Sequence, residues 1–151
     1  MNARSIIRWA YFLELLQCWH GMPQINCVES DHRNLSHHGR DPNRVKQLLK
    51  IECAIMGCFD EFLNTMKNKR EAGGTLLYNT LTLLGSNLGN ASSHDPRNNP
   101  ILLSGGGLNH GRYLAHDAKN NTPLCNLFVH MLNQMNLDTE KFASSTGELS
   151  L

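Results

Sequence analysis

No charge of either sign dominates this sequence. Across 151 residues, Lys and Arg total 14 and Asp and Glu total 13, for a formal net charge of +1. So even a balance leaves no electrostatic footprint for nucleic acid or an anionic membrane surface, and neither partner is expected. The chain also lacks an apolar run long enough to span a bilayer. Its most apolar early stretch, Ser5 to Trp19, is interrupted by Arg8 and Glu14, and no small-x-small cleavage site follows, so no export signal is read there. The stretch predicts a short amphipathic helix ending near Gly21-Met22-Pro23. The cysteines (Cys18, Cys27, Cys53, Cys58 and Cys125) are odd in number, so a closed disulfide framework would leave one thiol over, and with no C-x-x-C pair there is no zinc-ribbon spacing. Cys53, Cys58 and Cys125 fall in or beside helical patterns and are expected to be small buried thiols. A nucleotide fingerprint is missing too. Gly105-Gly106-Gly107 is not G-x-G-x-x-G and starts no helix, so it reads as a tight turn needing positive φ.

What remains is a globular composition, 40% hydrophobic and 18% charged, with eight histidines and many asparagines. The length suits one domain. Residues 24–43 are polar, His-rich and without periodicity, which predicts a loop. Asp41-Pro42 then supplies an N-cap with proline at the first helical position. Val45, Leu48, Leu49, Ile55, Phe59, Phe62, Leu63 and Met66 recur at three- and four-residue spacing, which predicts one long helix to about Arg70, stopped at Gly73-Gly74. Thr80–Leu84 and Pro100–Ser104 are short apolar runs bounded by turn residues and read as buried strands. Thr122-Pro123 repeats the cap signal before a helix through Met135. The order is that of an α/β layer architecture whose sheet, with two strands, is incomplete.

Two polar clusters are candidates for chemistry. The first is Ser36-His37-His38-Gly39, with Asp31 and His32 just upstream. Adjacent loop histidines present two imidazoles to one metal or anion, although a bare pair also suits a solvated loop. The second follows the first strand: Gly85-Ser86-Asn87-Leu88-Gly89-Asn90, then His94-Asp95 and Asn98. In open α/β sheets ligands bind beyond the carboxyl ends of strands, though these are also ordinary turn formers. His37, His38 and His94 are the expected metal ligands, with Asn87, Asn90, Asp31 and Ser36 supporting them. Zinc suits imidazole, while the amides and Asp31 suit calcium or magnesium. An approach of His37 or His38 to His94 within about 5 Å is the geometry a shared ion requires. His110 and His116 are expected to be solvated, and His130 to be a partly buried packing residue.

The runs LSHHGRDP (35–42), GTLLYNTLTLLGSNLGNASSH (74–94), NNPILLSGGG (98–107), GRYLAHD (111–117), NNTPLCNLFVHMLNQM (120–135) and STGEL (145–149) resemble, in order and spacing, the C-terminal part of the HXXSHH domain family of planctomycete-type bacteria. That family has no established activity. The first His of its name motif falls on Arg33 here, with His32 adjacent. A more distant resemblance is to the alkaline-phosphatase and sulfatase-like superfamily. There a long helix, a turn like Gly74–Thr80, a buried strand and a metal-binding Asp follow one another, and that Asp falls on Asn87. The resemblance implies the C-terminal segment of an alkaline-phosphatase-like sandwich over residues 31–151, with residues 1–30 unmatched. It implies exported relatives and a missing N-terminal half that carries the nucleophile and is needed for folding. Intact relatives are then metal-assisted hydrolases of phosphate or sulfate esters. The alternatives are a non-catalytic surface-associated binding or structural protein, or a non-functional gene fragment. No catalytic residue is assigned within the chain.

Overall fold

Helices and strands mix in one α/β arrangement. The computed structural model describes residues 9–12, 25–117 and 119–151. Asp41 caps the long helix α2, Pro42–Asn68, its carboxylate accepting from the backbone N–H groups of Asn43 at 2.8 Å and Arg44 at 3.2 Å. Proline at the first position sacrifices no helical hydrogen bond, so the expected start and the observed start agree. Ile51, Phe59 and Met66 form the buried line of α2. A two-residue turn with Gly73 at φ +91° folds β2, Arg70–Glu71, onto β3, Gly74–Thr75.

The main sheet has three strands in the order β1-β4-β5: Trp9–Phe12, Thr80–Gly85 and Ile101–Gly105. β1 runs parallel to β4, with Trp9 opposite Thr80, and β5 runs antiparallel, with Leu81 opposite Gly105. β4 is thus the centre, hydrogen-bonded on both edges, and its residues are buried almost end to end. Leu81 and Leu83 face helix α3, Cys125–Gln134, and pack with Leu127, Met131, Ile101 and Leu103. Thr80 and Thr82 point to the opposite face, fully buried. Gly105 and Gly106 turn the chain at φ +83° and +62°, and a Cβ on Gly105 would lie 1.9 Å from the Thr80 carbonyl oxygen. The glycine run is the tight turn that the sequence predicts.

Several expectations are corrected. β1 lies inside the stretch read as an amphipathic helix. Its Trp, Tyr and Phe favour a strand, and the edge of β4 satisfies a backbone that so short a helix would leave marginal. The rest of Ser5–Trp19 and Cys18 fall outside the described residues. Residues 24–43 contain a helix, α1, His32–Ser36, only five residues long and therefore invisible to periodicity. The helix α3 begins after Leu124, which makes no side-chain cap bond, rather than at Thr122-Pro123. Cys53 and Cys58 are exposed and Cys125 is half-buried, because α2 buries only one of its faces. His110 is not merely solvated, since its Nε2 accepts from the Gly105 N–H at 3.2 Å. No helix among the described residues is long and apolar enough to cross a membrane.

Candidate functional site

The short helix α1 is held from both ends. At its start Asp31 accepts from the Asn34 N–H at 2.7 Å and from the Asn34 side-chain amide at 2.8 Å. Along its side, His32 Nε2–H donates to Glu52 on α2 at 2.9 Å. This bond raises the His32 pKa above its ordinary value, against the opposing effect of burial. At its end His37 is the C-cap, and the Arg44 guanidinium reaches the His37 carbonyl at 3.4 Å. Leu35 and Ser36 are buried beneath, so the tip of α1 has a defined place on α2.

These contacts aim one imidazole. His37 Nδ1 lies 2.8 Å from the Arg33 carbonyl oxygen and 3.3 Å from Ser36 Oγ. A carbonyl only accepts, so Nδ1 carries the proton, and in the neutral form of the ring Nε2 holds the lone pair.

The second imidazole comes from the connection between β4 and β5. Ala91–Ser93 forms a single 3₁₀ turn capped by Asn90, whose side-chain oxygen accepts from the Ser93 N–H at 3.2 Å. Asn90 and Asp95 pair their backbones across it. His94 closes the turn in the left-handed region at φ +53°. Asp95 is bound on both carboxylate oxygens by Arg97 at 2.8 Å, and this holds its pKa down at about 2. An open cavity of about 430 Å³ is lined by Ser93 to Arg97. Gly89 lets the loop close, since a Cβ there would sit 1.9 Å from the Arg97 carbonyl oxygen.

His37 Nε2 and His94 Nε2 lie 2.9 Å apart, with ring centroids at 5.0 Å and planes inclined by 64°. A second tie runs alongside, from the Gly39 N–H to Ser92 Oγ at 3.0 Å. With His37 accepting, His94 Nε2–H is the donor. A cation can take the place of that proton. Imidazole nitrogens on a tetrahedral zinc at about 2.0–2.1 Å stand roughly 3.3 Å apart, so the pair needs to open by roughly 0.4 Å. Two nitrogen donors with an anchored tautomer fit zinc, whereas calcium and magnesium take oxygen donors.

The remaining expected residues are spread around this pair. His38 is half-buried and its Nδ1 accepts from the Arg40 N–H at 3.0 Å. Among the described residues no three His, Cys, Asp or Glu side chains gather as a complete metal site, so His38 does not form a triad with the pair. Asn87 is exposed, within a turn closed by the Ser86 hydroxyl donating to the Leu88 carbonyl at 2.8 Å. Asp31 and Asn90 serve as caps and Ser36 backs the His37 ring. Sequence reasoning missed the Arg33 carbonyl, Ser92 and the Asp95–Arg97 pair. A backbone carbonyl has no sequence signal, but Asp-Pro-Arg directly after His94 marks a turn with its own counter-ion. No family model, curated protein or solved structure matches the chain.

Proposed function

We propose that His37 and His94 are two ligands of a divalent-metal site, zinc by donor type, in a partial HXXSHH-type domain. On this reading the fold is the C-terminal segment of an alkaline-phosphatase-like sandwich, and intact relatives use the metal to assist hydrolysis of phosphate or sulfate esters. The observation that carries it is the 2.9 Å approach of two Nε2 atoms from segments 57 positions apart, one of them fixed in tautomer by the Arg33 carbonyl. The placement supports it as well: the His94 loop leaves the carboxyl end of the central strand, where open α/β sheets collect ligands. His37 and His94 would hold the ion, while Arg33 and Ser36 orient the His37 ring. When bound, such an ion polarises an ester oxygen or activates water. The remaining ligands, the nucleophile and further strands belong, on this reading, to the N-terminal half that the resemblance implies. A non-catalytic binding protein is the second reading. The exposed amide of Asn87, standing where the superfamily has a metal-binding Asp, favours it.

Calorimetric titration of the full chain with zinc tests the site. His37→Ala and His94→Ala should each weaken binding about tenfold or more. Unchanged affinity in both variants would overturn it. Hydrolysis of p-nitrophenyl phosphate and sulfate by an intact relative separates the two readings: zinc bound with neither ester cleaved selects the non-catalytic one.

A further inference from the structure

Among the described residues, the long helix α2 buries one face and leaves the other exposed. Ile51, Phe59 and Met66 are only 4% exposed each, and Ile55 and Phe62 complete that line at helical spacing. At about 100° per residue, the opposite face carries Lys46, Leu49, Cys53, Met56, Gly57 and Asp60. Leu49 is 60% exposed, Met56 is 43% exposed and Cys53 is exposed. Gly57 stands in the interior of a 27-residue helix, with nothing within 4 Å of where a Cβ would be. Glycine there weakens the helix relative to alanine. Among the described residues nothing calls for it.

We infer that this face is a homodimer interface, in which α2 packs antiparallel against α2 of a second copy about a two-fold axis at Cys53. The face is self-complementary under that operation. Positions equally far before and after Cys53 meet, so Leu49 meets Gly57 and Lys46 meets Asp60. Leu49 of one copy is a knob for the hole formed by Cys53, Met56, Gly57 and Asp60 of the other, with the missing side chain of Gly57 making the room. The charges choose the direction. Arg44, Lys46 and Lys50 with Glu52 occupy the first half of α2, and Asp60 and Glu61 with Lys67 lie in the second, so the first half is net positive and the second net negative. Antiparallel packing sets Lys46 against Asp60 twice, while parallel packing would align like charges. A closed two-fold pairing of one patch with itself is the commonest homo-oligomer geometry, and the opposed helix dipoles agree with it. A second copy is the occupant that meets a Leu with a Gly and a Lys with an Asp in the same register.

Sedimentation velocity on the full chain should show a dimer. Lys46→Glu alone and Asp60→Lys alone should each raise the dimer Kd about tenfold, and the two together should restore it. Gly57→Leu should abolish the dimer while leaving α2 at least as helical by circular dichroism, which distinguishes a filled hole from a misfolded chain. With Cys53 as the sole cysteine, a short bismaleimide should cross-link the dimer. With Cys58 alone it should not, since the two copies of that residue stand about 15 Å apart along the axis. A monomer at every concentration, equal cross-linking through Cys58, or no rescue by the double charge exchange would overturn the inference. A monomer would also leave the face to a different protein.

Discussion

His32 is the side chain that ties the His37-bearing helix to α2 and whose pKa is displaced by that tie. Its hydrogen bond to Glu52 raises its pKa and joins α1, which ends in His37, to α2. A base whose folded pKa is raised gives its stabilisation fully below the unfolded value, near 6.5, and loses it as pH rises through the folded value. The tie of α1 to α2 is therefore fully present below about pH 6.5 and is lost as pH rises through the raised folded value. Glu52→Gln should bring the His32 titration, followed by NMR of the imidazole, down toward the ordinary histidine value. A midpoint that does not move would mean that Glu52 is not the cause. Asp95 behaves in the opposite sense. Its carboxylate, held at about 2 by Arg97, keeps its contribution above the unfolded value and loses it only as pH falls through about 2.

At the scale of elements, the connection from β4 to β5 decides where His94 stands. Its single 3₁₀ turn is capped by Asn90, its backbone doubles back through the Asn90–Asp95 bridge, and Gly89 packs against the Arg97 carbonyl. Backbone on backbone cannot yield to a methyl group in the way a flexible side chain can. Gly89→Ala should therefore displace the turn and separate His94 from His37. Zinc affinity should fall about tenfold, the effect expected of a disturbed ligand support, while the helical signal of α2 stays unchanged. Equal affinity in Gly89→Ala would show that the turn adjusts without moving His94. α1 is the weaker of the two supports, a single turn kept in place by its Asp31 cap and by its contacts with α2.

For the molecule as a whole, stability centres on β4 and what covers it. Leu81 is fully buried and joins the sheet to Leu127 and Met131 of α3, where the terminal residues Leu149 and Leu151 also pack. The end of the chain is fastened there by polar contacts: Asn126 exchanges hydrogen bonds with Thr146, and Glu148 accepts from His130 at 2.8 Å and Asn133 at 2.9 Å. Leu81→Ala removes a side chain from the one place where sheet, helix and chain end meet. It should destabilise the protein by about 2–5 kcal/mol, read as a lower urea midpoint. A shift below about 1 kcal/mol, the level of ordinary substitutions, would place the core elsewhere.

What the sequence determined by itself is what neighbours along the chain settle between them. Asp41-Pro42 can cap and start a helix, the spacing from Ile55 to Met66 can bury one stripe although Val45 and Leu49 of the same pattern are exposed, and consecutive apolar residues from Thr80 to Leu84 can be buried on both faces. Each of these depends on a few adjacent φ and ψ angles and on side-chain period, and the glycines at 105–107 need positive φ wherever they sit. The pairing of Trp9–Phe12 with β4, the short helix that carries His37, the exposure of Cys53 and Cys58, and the hydrogen bond from His130 to Glu148 were settled only in three dimensions. Local pattern could nominate His37 and His94 separately, as histidines beside turns. Bringing two imidazole nitrogens to 2.9 Å across 57 positions depends on where the tertiary fold places α1 and the β4–β5 connection. Each histidine is aimed by its own neighbours in sequence, but the meeting of the two turns is a tertiary contact that no local periodicity records.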